Sequence, residues 1–328
     1  MTLRLSVCIP TYGRPPDMLQ VAIDSVADRL PPESELLILP SGPEAVASAA
    51  AVRAPDGARV LGSDETLDMV TNWNRCLTES RGELIHLLHD DDAIAPGFYQ
   101  AILALARQHP SAAIYGTGFR QLGKDGAAWS DAPGARQLRL AGEDAAQFLL
   151  EAGRHCCGSI VLTRRAVEQQ GLFKHQYAYC PDEEAYLRYA SAGGLAFDPA
   201  PLYRERTHGE QGRFEAWKRA DFAAQYLRAR IDGAGFFGNE TVHAAKESSA
   251  KRLISVAVSL ALAGDHALAS DQLDDLARCY PSCSKWRSFR LAKVGCRFRG
   301  VLRVAAARRK YLDTWRGMRT GSVTTKAG

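Results

Sequence analysis

Short apolar runs alternate with amphipathic stretches along the first two hundred residues. LRLSVCIP at 3–10 is a β-rich run stopped by Pro10, and Arg14-Pro15-Pro16 marks the loop after it. Residues 17–30 then carry Leu19, Ala22, Ile23, Val26 and Leu30 at the spacing of one helical face. A second apolar run, 35–39, ends at Pro40-Ser41-Gly42 and leads into an alanine-rich helix through about Val52. The pattern continues with a strand at 59–61, a helix at 67–80 and a strand at 84–88.

Beyond these, the spacing predicts a helix at 98–108, a strand at 112–119 and a Gly-, Ala- and Asp-rich loop or hairpin at 123–136. A helix at 143–152, a strand at 159–162 and a helix at 183–192 follow. Residues 196–204 read as an edge strand because Pro199 and Pro201 cannot donate to a ladder. Strands alternating with helices imply crossover connections and a mostly parallel sheet flanked by helices, an α/β domain over 1–212. Ligands of such sheets bind beyond the carboxyl ends of the strands, where Thr11, Ser41 and Asp90-Asp91-Asp92 fall.

From Phe214 onward the pattern is helical. Leu253, Val256, Ala257, Leu260 and Leu262 line one helix, and Ala267, Leu273 and Leu276 another, with Gly264-Asp265 between them. We expect a helical extension over 213–284, a hairpin packed on the sheet, and a basic amphipathic tail over 285–328.

Charge sharpens that last division. From Lys285 to the end there are 13 Lys or Arg and one acid, Asp313, which leaves 28 bases against 36 acids before it. The net charge of +4 thus hides an acidic body and a basic tail. The tail interleaves its bases with Trp286, Phe289, Leu291, Val294, Phe298 and Trp315, a composition that suits an anionic membrane surface as well as packing on its own domain. No recognised nucleic-acid module accompanies it, so no nucleic-acid partner is expected.

No apolar stretch approaches the roughly 20 residues needed to span a bilayer, and residues 1–25 lack the features of a signal peptide. A cytoplasmic protein, peripheral at the inner membrane face through its tail, is the expectation. The eight cysteines lack a CxxC pair and are expected as free thiols.

The stretch LIHLLHDDDAIAP holds the densest chemistry. Asp90, Asp91 and Asp92 end an apolar run, where negative charge is costly unless a cation joins it. Hard divalent ions prefer oxygen ligands and leave positions for phosphate oxygens. A turn or helix cap would also use such residues.

The order of four motifs decides between these. VCIPTYGRP, NWNRCLTESRGELIHLLHDDDAIAPGF, CPDEEAYLRYASAGG and YRERTHGEQ together resemble the inverting GT-A-type glycosyltransferases of the large family 2 class, across about residues 3–212. That resemblance implies a nucleotide-diphospho-sugar transferase fold, a nucleotide-sugar donor and a divalent metal, Mn²⁺ or Mg²⁺. It places Pro10, Thr11, Tyr12 and Arg14 at the nucleotide. Asp90 and Asp92 match the metal-binding DXD position, with Asp92 as the ligand and Asp90 facing ribose or metal; His89 stands where the leading acid is usual. A register slipped by one residue makes Asp91 the ligand instead. His208 matches a histidine that reaches the same metal in related enzymes.

Asn74, in the NWN pattern, is the candidate donor contact, while Trp73 has core spacing with Val70 and Leu77. Pro181-Asp182-Glu183-Glu184 resembles the family's ED motif with Pro181 in the place of its Glu. Asp182 thereby takes the general-base role, with Glu183 in reserve. The same residues would make an ordinary helix start. Many relatives carry an Asp after the second strand that contacts the base; here Ser41 stands in that loop.

The implied activity is metal-dependent transfer of a sugar, with inversion, to a hydroxyl of a glycan or lipid-linked saccharide in bacterial polysaccharide assembly. A sugar nucleotidyltransferase would want a Gly-rich phosphate loop, and IPTYGRP has a single Gly. A catalytically silent sugar-nucleotide-binding protein of the same fold is the other alternative.

Overall fold

The computed structural model describes residues 5–122, 128–131, 137–151, 155–206, 216–219 and 221–297. Its elements follow the expected alternation: β1 (Leu5–Thr11), α1 (Pro16–Ala27), β2 (Glu35–Pro40), α2 (Pro43–Ala50), β3 (Arg59–Val60), α3 (Met69–Glu79) and β4 (Leu84–Leu87). Then come β5 (Ala93–Ile94), α4 (Phe98–Gln108), β6 (Ile114–Leu122), β7 (Ala128–Asp131), β8 (Leu138–Leu140), α5 (Gly142–Leu150), β9 (Ile160–Thr163), α6 (Arg164–Gln170), α7 (Pro181–Ser191) and β10 (Leu195–Arg206).

One sheet runs β3-β2-β1-β4-β9-β6-β10-β5, with β7 beside β6 and β8 beside β10. Strands β1, β2, β3 and β4 pair in parallel, as do β6 and β10, while β9 runs antiparallel between β4 and β6. The apolar runs are continuous because both faces are covered. Val7, Ile9, Leu36 and Ile38 pack toward α1 and α4, whereas Cys8, Leu37, Leu39 and Ile85 pack toward α3, α5 and α7.

The stretch expected as an edge strand is interior. β10 has β6 on one side and the short strands β5 and β8 on the other. Its prolines are tolerated because the register shifts between Asp198 and Pro201 and again between Pro201 and Tyr203, so missing N–H groups fall where the ladder is already broken. The expected loop or hairpin is partly visible, since β7 pairs antiparallel with β6.

Among the described residues the longer helices that follow are α8 (Phe222–Ala234), α9 (Asn239–Ala263), α10 (His266–Cys279) and α11 (Arg287–Arg297). α8 rests on α7 and α9 on α5, helices that cover one face of the sheet, while α10 packs on α8 and α9, and α11 on α9 and α10. A side chain at Gly233 of α8 would place its Cβ 2.9 Å from Leu187 Cβ and 3.0 Å from the Glu184 carbonyl oxygen. Glycine therefore lets α8 approach the backbone of α7. Phe222, Leu227, Leu253, Leu273 and Leu276 form the interior of this unit, joined by Tyr177 and Cys180. Leu262 and Ala267 are exposed, contrary to expectation. At about 100° per residue each falls opposite the apolar line of its own helix.

All eight cysteines are free. Among the described residues no helix is long and apolar enough to cross a membrane. The residues of the tail beyond 297 and His208 lie outside the described residues.

Candidate active site

Strands β1, β2 and β4 end side by side, with Thr11 opposite Pro40 and Cys8 opposite Leu87. The Leu88 N–H donates to the Cys8 carbonyl at 2.9 Å, which carries the chain onward to the aspartates beside the β1 loop. All three aspartates are buried.

They do not share one role. Asp90 turns to the β1 loop, where the Tyr12 N–H donates to its Oδ2 at 3.2 Å and Arg14 Nε lies 3.8 Å from its Oδ1. Burial, then the charge of Asp91, push its carboxyl up to about 6, against the pull of Thr11 and Arg14. Asp92 turns to β10: the Tyr203 hydroxyl donates to its Oδ2 at 2.7 Å and the Arg206 N–H to its Oδ1 at 2.8 Å. Burial and Asp91 hold it well above the usual carboxylate range.

The acids that converge with a third ligand are Asp91 and Asp92, joined by His89. One ligand atom from each lies within 4.8 Å of the others. Asp90, anticipated as partner to Asp92, is outside this group. His89 Nδ1 is 3.6 Å from Asp92 Oδ2, and its buried Nε2 has no hydrogen-bond partner among the described residues. Burial lowers the pKa of this imidazole, leaving it neutral and able to act as a ligand. Two carboxylates and a neutral imidazole with an unused buried nitrogen fit a divalent cation.

A second acidic triplet opens α7, behind Pro181 at its first position. Glu184 is fully buried and accepts from Arg188 Nε at 2.8 Å and Lys174 Nζ at 2.7 Å. Glu183 Oε2 accepts from Arg230 of α8 at 2.6 Å. Among the described residues no cation pairs with Asp182. Burial, then the charge of Glu183, push its carboxyl up to about 7, although the Cys157 thiol and the first-turn N–H groups favour the carboxylate.

The segment Cys156-Cys157-Gly158 runs between the two triplets. Burial pushes both thiols well above their ordinary range; the charges of Glu205 and Asp92 reach Cys156, and that of Asp182 reaches Cys157. Both stay protonated at neutral pH. A Cβ on Gly158 would fall 1.9 Å from the Tyr203 hydroxyl, so glycine is required for Tyr203 to reach Asp92.

The remaining candidates divide. Pro10 is buried in β1 opposite Leu39. Tyr12 keeps 38% of its surface exposed, with its hydroxyl donating to the Met69 carbonyl at 3.2 Å. Arg14 also approaches Asp91, at 3.6 Å. The Ser41 hydroxyl is occupied locally, accepting from the Leu67 N–H at 2.8 Å, so it is poorly free to read a base. Asn74, expected as a donor contact, is engaged by the chain itself: its Nδ2 donates to the Phe173 carbonyl at 3.0 Å and its Oδ1 accepts from the Phe173 N–H at 2.9 Å. Tyr203 and Arg206 lie in the YRERTHGEQ motif but were given no role from it, and nothing local signalled Arg230, whereas His89 was signalled by its place in its motif.

Residues 6–172, just over half the chain, match glycosyl transferase family 2. A stretch of 100 residues is 32% identical to MT1568 of Mycobacterium tuberculosis (strain CDC 1551 / Oshkosh), covering 30% of this chain. The chain spans 31% of the length of that relative. Among solved structures, S. aureus TarS 1–349 superposes with a TM-score of 0.61 at 12% identity, over 90% of this chain and 91% of that one. The same TarS unit in complex with UDP-GlcNAc gives 0.61 at 13% identity, over 90% and 92%. At these identities the likeness shows the fold, and the sequence match supplies the family. The chain belongs to glycosyl transferase family 2 and has the GT-A fold.

Proposed function

We propose that this chain is a metal-dependent, inverting glycosyltransferase that moves a sugar from a nucleotide donor to a hydroxyl of a glycan or lipid-linked saccharide. Its main support is the state of the acids opening α7. Two are held in ion pairs and the third, Asp182, titrates near neutrality, across the Cys156-Cys157 segment from His89, Asp91 and Asp92.

Asp182 acts as general base. It takes the proton from the acceptor hydroxyl as that oxygen attacks the anomeric carbon, on the face opposite the departing diphosphate. A base with a pKa near working pH combines a useful ionised fraction with enough proton affinity. His89, Asp91 and Asp92 would hold Mn²⁺ or Mg²⁺, with His208 as a further ligand. When bound, such an ion neutralises charge that grows on the diphosphate as the glycosidic bond breaks. Arg14 adds a cation beside the same phosphates, and the exposed ring of Tyr12 offers a face on which the base stacks. The UDP-GlcNAc complex of TarS supports a UDP-linked donor.

The outer side of α11 supports contact with an anionic membrane. Exposed Leu291 and Val294 lie among exposed Arg287 and Arg290, at the start of the basic tail. Flotation with anionic liposomes should carry the full chain upward; failure to float removes the membrane contact.

The function is tested with a panel of UDP-, GDP- and TDP-sugars. A donor that raises the melting midpoint only with Mn²⁺, and that wild type but not Asp182→Asn hydrolyses, is the expected result. Equal turnover by both proteins removes Asp182 as base.

A further inference from the structure

We propose that Trp73 and Asn74 on α3 are positioning residues that set the base, Asp182, against the group formed by His89, Asp91 and Asp92. The proposal rests on the functional reading above.

Asn74 and Phe173 are 99 residues apart, yet the Asn74 carboxamide takes both backbone groups of Phe173, at 3.0 and 2.9 Å. One hydrogen bond fixes a distance; two opposed bonds to one residue also fix its orientation. Phe173 lies in the connection from α6 to α7, whose first turn carries Asp182. Neither bond adds to the ladder of α3 itself.

The same connection is held from α7. Arg188, 2% exposed, donates to the carbonyls of Gly171 at 3.1 Å and Leu172 at 2.9 Å, and Glu184 locks that guanidinium at 2.8 and 3.0 Å. The chain entering α7 is thereby pinned between α7 and α3. The clasp on α3 is Asn74.

Trp73 completes the link on the donor side. Its ring stacks on His89 at 5.5 Å and 26°, and meets Phe173 edge-on at 5.5 Å and 68°. Phe173 in turn meets Tyr189 of α7 edge-on at 6.2 Å. Rings run without a break from His89 to α7, and the carboxamide next to Trp73 fastens the ring in the middle. Displacing one cluster by about 1 Å relative to the other can cost about 100-fold in rate without removing a reacting group.

The test measures donor hydrolysis and the affinity for UDP with Mn²⁺ in wild type, Asn74→Ala, Asn74→Asp and Trp73→Phe, normalised to binding sites counted by titration. Asn74→Ala should lower kcat at least tenfold while the affinity for UDP with Mn²⁺ changes less than threefold. Asn74→Asp keeps the acceptor for the Phe173 N–H and should fall between; it also serves if Asn74→Ala does not fold. Trp73→Phe keeps a ring on His89 and should retain most of the activity. A kcat in Asn74→Ala within twofold of wild type, or a loss matched by an equal loss of UDP affinity, overturns the proposal alone. Absence of turnover in wild type across the donor panel overturns the functional reading, and this inference with it.

Discussion

Asp90-Asp91-Asp92 and Asp182-Glu183-Glu184 are both runs of three acids at the end of a buried segment, and the fold treats them oppositely. In the second run, Glu183 is met by Arg230 and Glu184 by Arg188 and Lys174, so a single carboxyl is isolated. In the first run, Arg14 lies 3.6 to 3.8 Å from Asp90 and Asp91, while the contacts shown for Asp92 come from a hydroxyl, a backbone N–H and His89. On the proposed reading, neutralising all but one acid leaves a base, and leaving several acids together, with an imidazole among them, leaves a place for a cation.

The largest effects should come from collapsing that contrast. Asp92→Asn should lower metal-dependent turnover by about 1,000-fold or more, measured at saturating donor, because it removes a ligand and the anchor for Tyr203 and Arg206. Asp182→Asn should lower turnover by about 100- to 10,000-fold with the affinity for UDP and Mn²⁺ nearly unchanged.

Asp182→Asn should also raise the melting midpoint by a few degrees near pH 8. The folded carboxyl holds its proton up to about 7, against about 3.9 for the unfolded chain. Its contribution to stability is therefore full below the unfolded value and is lost as pH rises through about 7. Asp90, pushed up to about 6, acts with the same sign. Metal-free protein should melt lower as pH rises from 4 to 7, and Mn²⁺ should oppose that decline. Wild-type turnover should run the other way, rising with pH and levelling above about 7.

A smaller effect tests the ion pairs. Arg230→Leu leaves Glu183 unpaired beside Asp182 and should cost about 3 kcal/mol in urea unfolding. Glu183→Gln removes the like charge next to the base and should move the acid limb of the pH profile to lower pH. No movement would mean that Glu183 does not tune Asp182.

The alternation of strands and helices and the two acidic runs were legible because they rest on local patterns: apolar runs on β1, β2 and β4, and motifs a few residues long. What was not legible depends on distant partners. Nothing near Glu183 announces Arg230, which arrives from 47 residues away on α8. Asn74 looked like a donor contact because only the fold brings Phe173 to it. Ser41 is taken by the N–H of Leu67, 26 residues on, for the same reason. The prolines of β10 correctly signalled a weak ladder, but the break sits inside the sheet, where β5 and β8 cover what would have been an edge. His89 was visible as a departure from the motif, and only its distance to Asp91 and Asp92 suggests what the departure does.

An equilibrium titration of Mn²⁺ in the presence of UDP, run on wild type, Asp92→Asn and Asp182→Asn, separates the two acidic runs most directly. The division of labour predicts tight Mn²⁺ binding in wild type and Asp182→Asn, and its loss in Asp92→Asn, with turnover lowered at least about 100-fold in both variants. Loss of Mn²⁺ from Asp182→Asn, or undiminished binding in Asp92→Asn, would contradict it.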